Sequence, residues 1–188
     1  MRFSIFQESR KGGRQANQDR TSYAYTRDAL LMVVADGMGG HLHGEVASQI
    51  AVQFLTEAFQ REAKPKLADP LGFLQKSITD AHFALGDYAE ARGLIESPRT
   101  TCVACVVQDS TAFWAHAGDS RLYHIREGRI QAQTRDHSRV QMLVDQGRVR
   151  EEAVAAIRIA TRSSTASGRP RSLKWRCPSP PCCAKTTP

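Results

Sequence analysis

The chain has 188 residues, 41% of them hydrophobic, with a formal net charge of +7, enough for one domain with its own core. No segment reaches the roughly 18 apolar residues that span a bilayer, the first residues carry no signal-peptide pattern, and five cysteines, an odd number, do not suggest a disulfide framework. All 19 acidic residues precede Ile157 while Arg158, Arg162, Arg169, Arg171, Lys174, Arg176 and Lys185 follow it, so residues 1–156 are formally neutral and the charge gives no reason to expect a nucleic-acid or membrane partner; a cytoplasmic protein is the default expectation.

In chain order, residues 2–5 and 21–25 read as strands. Residues 29–35 form a short continuous apolar run, expected to be a buried strand. From Gly44 the period changes: Val46, Ile50, Phe54 and Ala58 recur every four residues, the mark of a helix with one apolar face. Glu45 in its first turn suits the positive end of the helix dipole. Asp69-Pro70 offers an N-cap acid followed by proline at the first helical position. Leu71, Leu74, Ile78, Ala81, Leu85 and Tyr88 carry that second helix to about Arg92, and the two helices are expected to pack as an antiparallel pair.

Four strands are expected next, over residues 101–107, 111–117, 121–126 and 129–133, with Glu127-Gly128 as a hairpin turn. Ser138-Arg139-Val140-Gln141 matches a capping box, Gly147 is placed to end that helix, and residues 150–156 can form one more. Cys102-Val103-Ala104-Cys105 fits a C-x-x-C template. A strand puts positions i and i+3 on opposite faces, so the expectation is two buried thiols rather than a redox pair or a half zinc site.

After Ala156 the composition changes. Asp and Glu vanish, and three of the five cysteines and five of the eight prolines fall here. Residues 157–188 are expected to be a disordered basic tail or, preferably, the product of a reading-frame shift. Ile157-Arg158-Ile159-Ala160-Thr161 can be encoded by bases that in another frame read His-Pro-His-Arg-Asn.

The stretch Val33-Val34-Ala35-Asp36-Gly37-Met38-Gly39-Gly40-His41 is the most informative. An apolar strand ends in a carboxylate and turns through glycines, which fixes an oxygen ligand at a strand end and lets backbone approach an ion or phosphate. Three more blocks stand in order around it: Arg14-Gln15-Ala16-Asn17-Gln18-Asp19 upstream, Gly118-Asp119-Ser120-Arg121 and Thr134-Arg135-Asp136-His137-Ser138 downstream. Together they resemble the bacterial metal-dependent protein phosphatases of the 2C (PPM) class, over residues 1–156.

The resemblance implies an α+β fold of αββα layers: two antiparallel sheets in a sandwich flanked by helix pairs, here incomplete at the C-terminal end. It implies hydrolysis of phosphoserine and phosphothreonine on proteins by a metal-activated water, with two Mn²⁺ or Mg²⁺ ions. By that likeness Asp36 bridges both ions, the Gly37 carbonyl binds one, and Asp19 touches the centre through water. Arg14 holds the substrate phosphate, a planar fork of donors being suited to it. Asp119 is either a ligand of a third, weaker metal site or a turn acid capping amides. Thr100 and Thr101, like Asp136 and His137, are structural. Met38 stands where some relatives carry a general-acid histidine. His41, three residues on, is a turn histidine or, as the alternative, the acid that protonates the leaving oxygen. Gln18 stands where the family often has Glu.

The family's remaining metal carboxylates come late in the domain, and no Asp follows Ala156 here. The chain is therefore expected to carry about half of the metal site and to be weak or inactive. The expected partners are phosphorylated proteins, substrates of a bacterial serine/threonine kinase, and the expected state is a monomer. The alternatives are a non-catalytic remnant that binds a phosphopeptide or a kinase and, last, an anion binder acting through the tail.

Overall fold

A computed structural model describes residues 1–38 and 43–137 and, as backbone alone, 184–186. The chain divides into two compact units, one of residues Met1–Thr134 with Pro181–Pro188, the other Arg135–Pro180. Every element named below belongs to the first unit. Among the described residues no helix is long and apolar enough to cross a membrane.

Strand β1 (Asp19–Tyr25) turns at Thr26 into β2 (Ala29–Asp36). Two helices follow, α1 (Gly44–Glu62) and α2 (Pro70–Ala91). The chain then returns through β3 (Cys102–Gln108) and β4 (Thr111–Ala117), and a hairpin of β5 (Tyr123–Arg126) and β6 (Arg129–Gln133) comes next. A short strand, β7 (Ala184–Thr186), completes an antiparallel sheet of order β1-β2-β3-β4-β7. The hairpin β5-β6 forms a second, two-stranded sheet.

Local chemistry explains most of these boundaries. The Thr26 hydroxyl accepts from the amides of Asp28 and Ala29, closing the β1–β2 turn. Asp109-Ser110 and Glu127-Gly128 join their strands with two residues at positive φ each, the twist that two-residue hairpins require. Asp69 caps α2 by accepting from the Gly72 amide at 3.0 Å, with Pro70 in the first turn.

The core lies between one sheet face and the helix pair. Strand alternation puts Ala29, Leu31, Val33 and Ala35 on that face, all essentially inaccessible. They meet Ala51, Leu55 and Phe59 of α1 in one cluster that also takes in Leu74 and Ala81 of α2 and Cys102, Ala104 and Val106 of β3. Phe59 and Phe73 lock the two helices edge to face, ring centroids 6.2 Å apart. Cys102 is in this cluster and Cys105 faces the other way; burial pushes both thiols up to about 12.

Four expectations need correction. Residues 2–5 form no strand: that segment is tied to β1 by side chains, with the Phe3 ring edge-on to Tyr25 at 5.5 Å and Gln7 donating to Thr21 at 3.1 Å, and a side-chain tie builds no ladder. The β2 run is fully buried only on its helix face, since Val34 on the other is 41% exposed. The third strand starts at Cys102, and the fifth at Tyr123, both later than expected. Within the tail read as disordered, Ala184–Thr186 pairs with β4. The helices expected at Ser138 and over residues 150–156 lie outside the described residues.

Candidate active site at the β1–β2 rim

The β1–β2 pairing places Asp19, the first residue of β1, directly opposite Asp36, the last of β2. Alternation puts both on the sheet face away from the helices. Gly37 continues the strand by one bridge to Thr100. Its amide donates to the Gln18 carbonyl at 3.1 Å, which fastens the β2 end to the β1 entry. A Cβ on Gly37 would sit 2.1 Å from the Gly44 carbonyl oxygen and 2.9 Å from that of Gln18. Only glycine lets α1 begin against the end of β2.

Gln18 and Ser48 complete this support, and the sequence reading gave neither a role. The Gln18 carbonyl also accepts from the fully buried Ser48 hydroxyl at 2.5 Å, while its side-chain amide donates to Glu45 Oε2 at 3.1 Å. A glutamate at position 18 would place a second negative charge beside Glu45. Glu45 accepts from its own backbone amide and from Gln18, which hold its carboxyl below the usual range.

Thr101 grips Asp36 from the other side. Its amide donates to the Asp36 carbonyl at 2.9 Å, and its hydroxyl, in place of its carbonyl, accepts from the Asp36 amide at 3.0 Å. This substitution is why regular β3 starts one residue later than the sequence suggests. The same hydroxyl shares a 2.6 Å hydrogen bond with Ser120. Thr101 is 2% exposed.

The charges converge on Asp36. Although the residue opens to solvent on one side, its carboxyl is raised to about 6, first by burial, then by the charge of Asp19 and a hydrogen bond with it, then by Asp119; Arg14 pulls it the other way. Arg14, Asp19 and Asp119, drawn with Asp36 from three of the four blocks, are thus all within electrostatic reach of Asp36. Three acids against one arginine form an anionic rim of hard oxygen donors, the chemistry that Mg²⁺ and Mn²⁺ prefer. Among the described residues no three acidic, histidine or cysteine side chains stand close enough to enclose an ion by themselves. His41 lies outside the described residues. Asp136 is buried, in the second unit.

Known proteins resemble the chain in sequence and in fold. The family profile described as protein phosphatase 2C matches residues 7–154. The serine/threonine phosphatase stp of Listeria innocua is 33% identical over 149 residues, covering 78% of this chain. The serine/threonine protein phosphatase PstP of Mycobacterium tuberculosis is 35% identical over 144 residues, covering 77% of this chain and 27% of its own length. The chain spans 59% of the length of the Listeria protein. Among solved structures, serine/threonine phosphatase Stp1 from Staphylococcus aureus superposes with a TM-score of 0.70 at 34% identity, over 79% of this chain and 58% of that one. The catalytic domain of PstP in complex with two manganese ions superposes with a TM-score of 0.66 at 28% identity, over 92% of this chain and 66% of that one. By sequence and by fold, the chain belongs to the protein phosphatase 2C family.

Proposed function

We propose that this site belongs to a metal-dependent phosphatase acting on phosphoserine and phosphothreonine in proteins, and that the 188-residue chain holds the first half of it. The observation that carries the reading is the convergence of Asp19, Asp119 and Arg14 on Asp36 at one strand end. An acid raised by burial and by neighbouring acids is one whose ionised form a divalent cation would favour. Asp36, Asp19, Asp119 and the Gly37 carbonyl are the groups that would hold divalent ions, Mn²⁺ or Mg²⁺. When bound, such ions neutralise phosphoryl charge and acidify a water.

The chain's own residues supply the rest. Arg14, exposed beside the acids, binds the phosphate of the substrate and orients it toward Asp36. Gly37 keeps the backbone close enough to the rim for its carbonyl to serve. His41, within the glycine turn, is read first as a turn histidine, with protonation of the leaving serine or threonine oxygen as its alternative role. The substrates are phosphorylated proteins, the products of a serine/threonine kinase.

The second half of the site is missing from these residues. The family profile stops at residue 154, three residues before the composition changes at Ile157, and no aspartate follows Asp145. That coincidence supports a domain of residues 1–156 and a tail of different origin. Loss of ligands that stabilise transition-state charge costs on the order of a hundredfold or more in turnover.

Phosphate release from a phosphothreonine peptide with Mn²⁺ tests the reading, with Stp1 of S. aureus assayed alongside. The intact chain is expected to run at least about a hundredfold slower. Asp36-dependent turnover at a comparable rate contradicts the half-site account. Tight phosphopeptide binding that survives a chelator and depends on Arg14 favours a non-catalytic remnant instead.

A further inference from the structure

We propose that Thr101 is a positioning residue that fixes the spacing between the two parts of the acidic rim, Asp36 on β2 and Asp119 in the turn after β4. The proposal rests on the reading of this rim as a metal site. Thr101 lies on β3's approach, between the two in space and adjacent to neither in sequence.

Two sets of contacts meet on this one side chain. On the β2 side, the Thr101 hydroxyl receives the Asp36 amide at 3.0 Å and its own amide returns a bond to the Asp36 carbonyl at 2.9 Å. The backbone of Asp36 is thereby clamped from both directions, in a place where a regular ladder would have used a carbonyl.

On the β4 side, the Thr101 hydroxyl bonds Ser120 Oγ at 2.6 Å. Gly118 packs on the same threonine: a Cβ there would lie 2.7 Å from Thr101 Cγ2 and 2.8 Å from Thr101 Cβ, and its φ of +105° is itself one that side chains avoid. The residues on both sides of Asp119 are therefore seated on Thr101, one by packing and one by a hydrogen bond. Asp119 itself is exposed and projects from a turn held at both ends.

A carboxylate's usefulness to an ion depends on where its backbone is held, and partners behind a ligand are worth about 10–100-fold in metal affinity. Thr101 carries that function for two ligands at once. Valine keeps the shape and loses both hydroxyl bonds. Serine keeps the bonds and loses only the methyl group. Ser120→Ala breaks the link to the Asp119 turn and leaves the clamp on Asp36.

Two measurements on the intact chain test this, amide hydrogen exchange and Mn²⁺ uptake followed by the electron paramagnetic resonance of the free ion. Thr101→Val should speed exchange at Asp36 by about tenfold or more, because its amide loses its acceptor, while core amides of β2 keep their protection. It should weaken Mn²⁺ binding by about tenfold. Thr101→Ser should restore both. Ser120→Ala should weaken Mn²⁺ binding with the Asp36 amide still protected. Should Thr101→Val fail to fold, the Ser120→Ala result decides. Mn²⁺ affinity unchanged in Ser120→Ala, or in a folded Thr101→Val, overturns the proposal while leaving the metal site standing. No Mn²⁺ uptake by the unaltered chain refutes the metal-site reading, and the proposal with it.

Discussion

Asp19 and Asp36 face each other across the first and last positions of the β1–β2 pairing, and the charge of Asp19 helps to raise the Asp36 carboxyl. The β1–β2 hairpin therefore delivers two acids, seventeen positions apart in sequence, to one point on the sheet rim. Proteins rarely gather like charges without a compensating partner, because each raises the cost of ionising the other. Here burial first, then the charges of Asp19 and Asp119, together outweigh Arg14, so the Asp36 carboxyl stands well above its ordinary value.

A pH-dependent stability follows. The folded-state value of Asp36 is about 6 against 3.8 in an unfolded chain. Between those values the folded protein binds the extra proton, so stability from this group falls as pH rises from about 4 to 6 and stays low above that. Asp36→Asn removes the ionisation. Without metal it should melt higher than the unaltered chain at pH 7, with the gain absent near pH 3.5. Thermal melts at both pH values check this; an equal shift at both contradicts it.

Gly37 tolerates no side chain. The hypothetical Cβ meets backbone atoms of Gly44 and Gln18, which cannot swing aside as a flexible side chain would. Gly37→Ala should push α1 off the end of β2 and destabilise by the upper part of about 1–3 kcal/mol or more. Urea unfolding reads the loss, with Gly86→Ala, where nothing lies within 4 Å, as the contrasting variant expected to cost nothing.

The Asp69 cap is a local device with a local cost. Asp69→Ala leaves the Gly72 amide without its acceptor and should lower stability by about 1 kcal/mol. Asp69→Asn, which keeps the acceptor, should lose less. Denaturant midpoints of the two variants separate the cap from the charge.

Cys102 and Cys105 should behave as core residues. With both thiols buried and pushed up to about 12, neither forms thiolate near neutrality. Iodoacetamide at pH 7.5 should leave both unmodified in the native chain and label both in denaturant, as read by peptide mass spectrometry. Fast native labelling of either would restore the C-x-x-C pair as a reactive site.

What could be read from the residues themselves divides along sequence distance. The Asp69-Pro70 start and the Glu127-Gly128 turn are local signals, and the structure has each where its residues put it; α1 starts at Gly44 as its period suggests, but it buries Ala47, Ser48, Ala51, Val52, Leu55 and Phe59 rather than Val46, Ile50 and Phe54. The four blocks identified the family, and three of them bring Arg14, Asp19 and Asp119 within electrostatic reach of Asp36. The fastening of that rim was not legible. The Thr101–Ser120 bond joins residues 19 positions apart, and Ser48 reaches Gln18 across 30. Such side chains carry no period and no spacing rule, so a serine in a helix reads as a surface residue until the fold closes over it. The residues 2–5 misreading has the converse cause. Their alternation is that of a strand, and whether a strand forms depends on a partner the segment does not itself encode.

Asp36 and its neighbours are proposed as a seat for divalent cations. Mn²⁺ titration of the intact chain, followed by electron paramagnetic resonance, tests it most directly. Asp36→Asn is the probe and Asp28→Asn, altering an acid already paired with Arg27, the control. Uptake is expected for the unaltered chain and for Asp28→Asn, and its loss for Asp36→Asn. Equal uptake by all three, or by none, would contradict it.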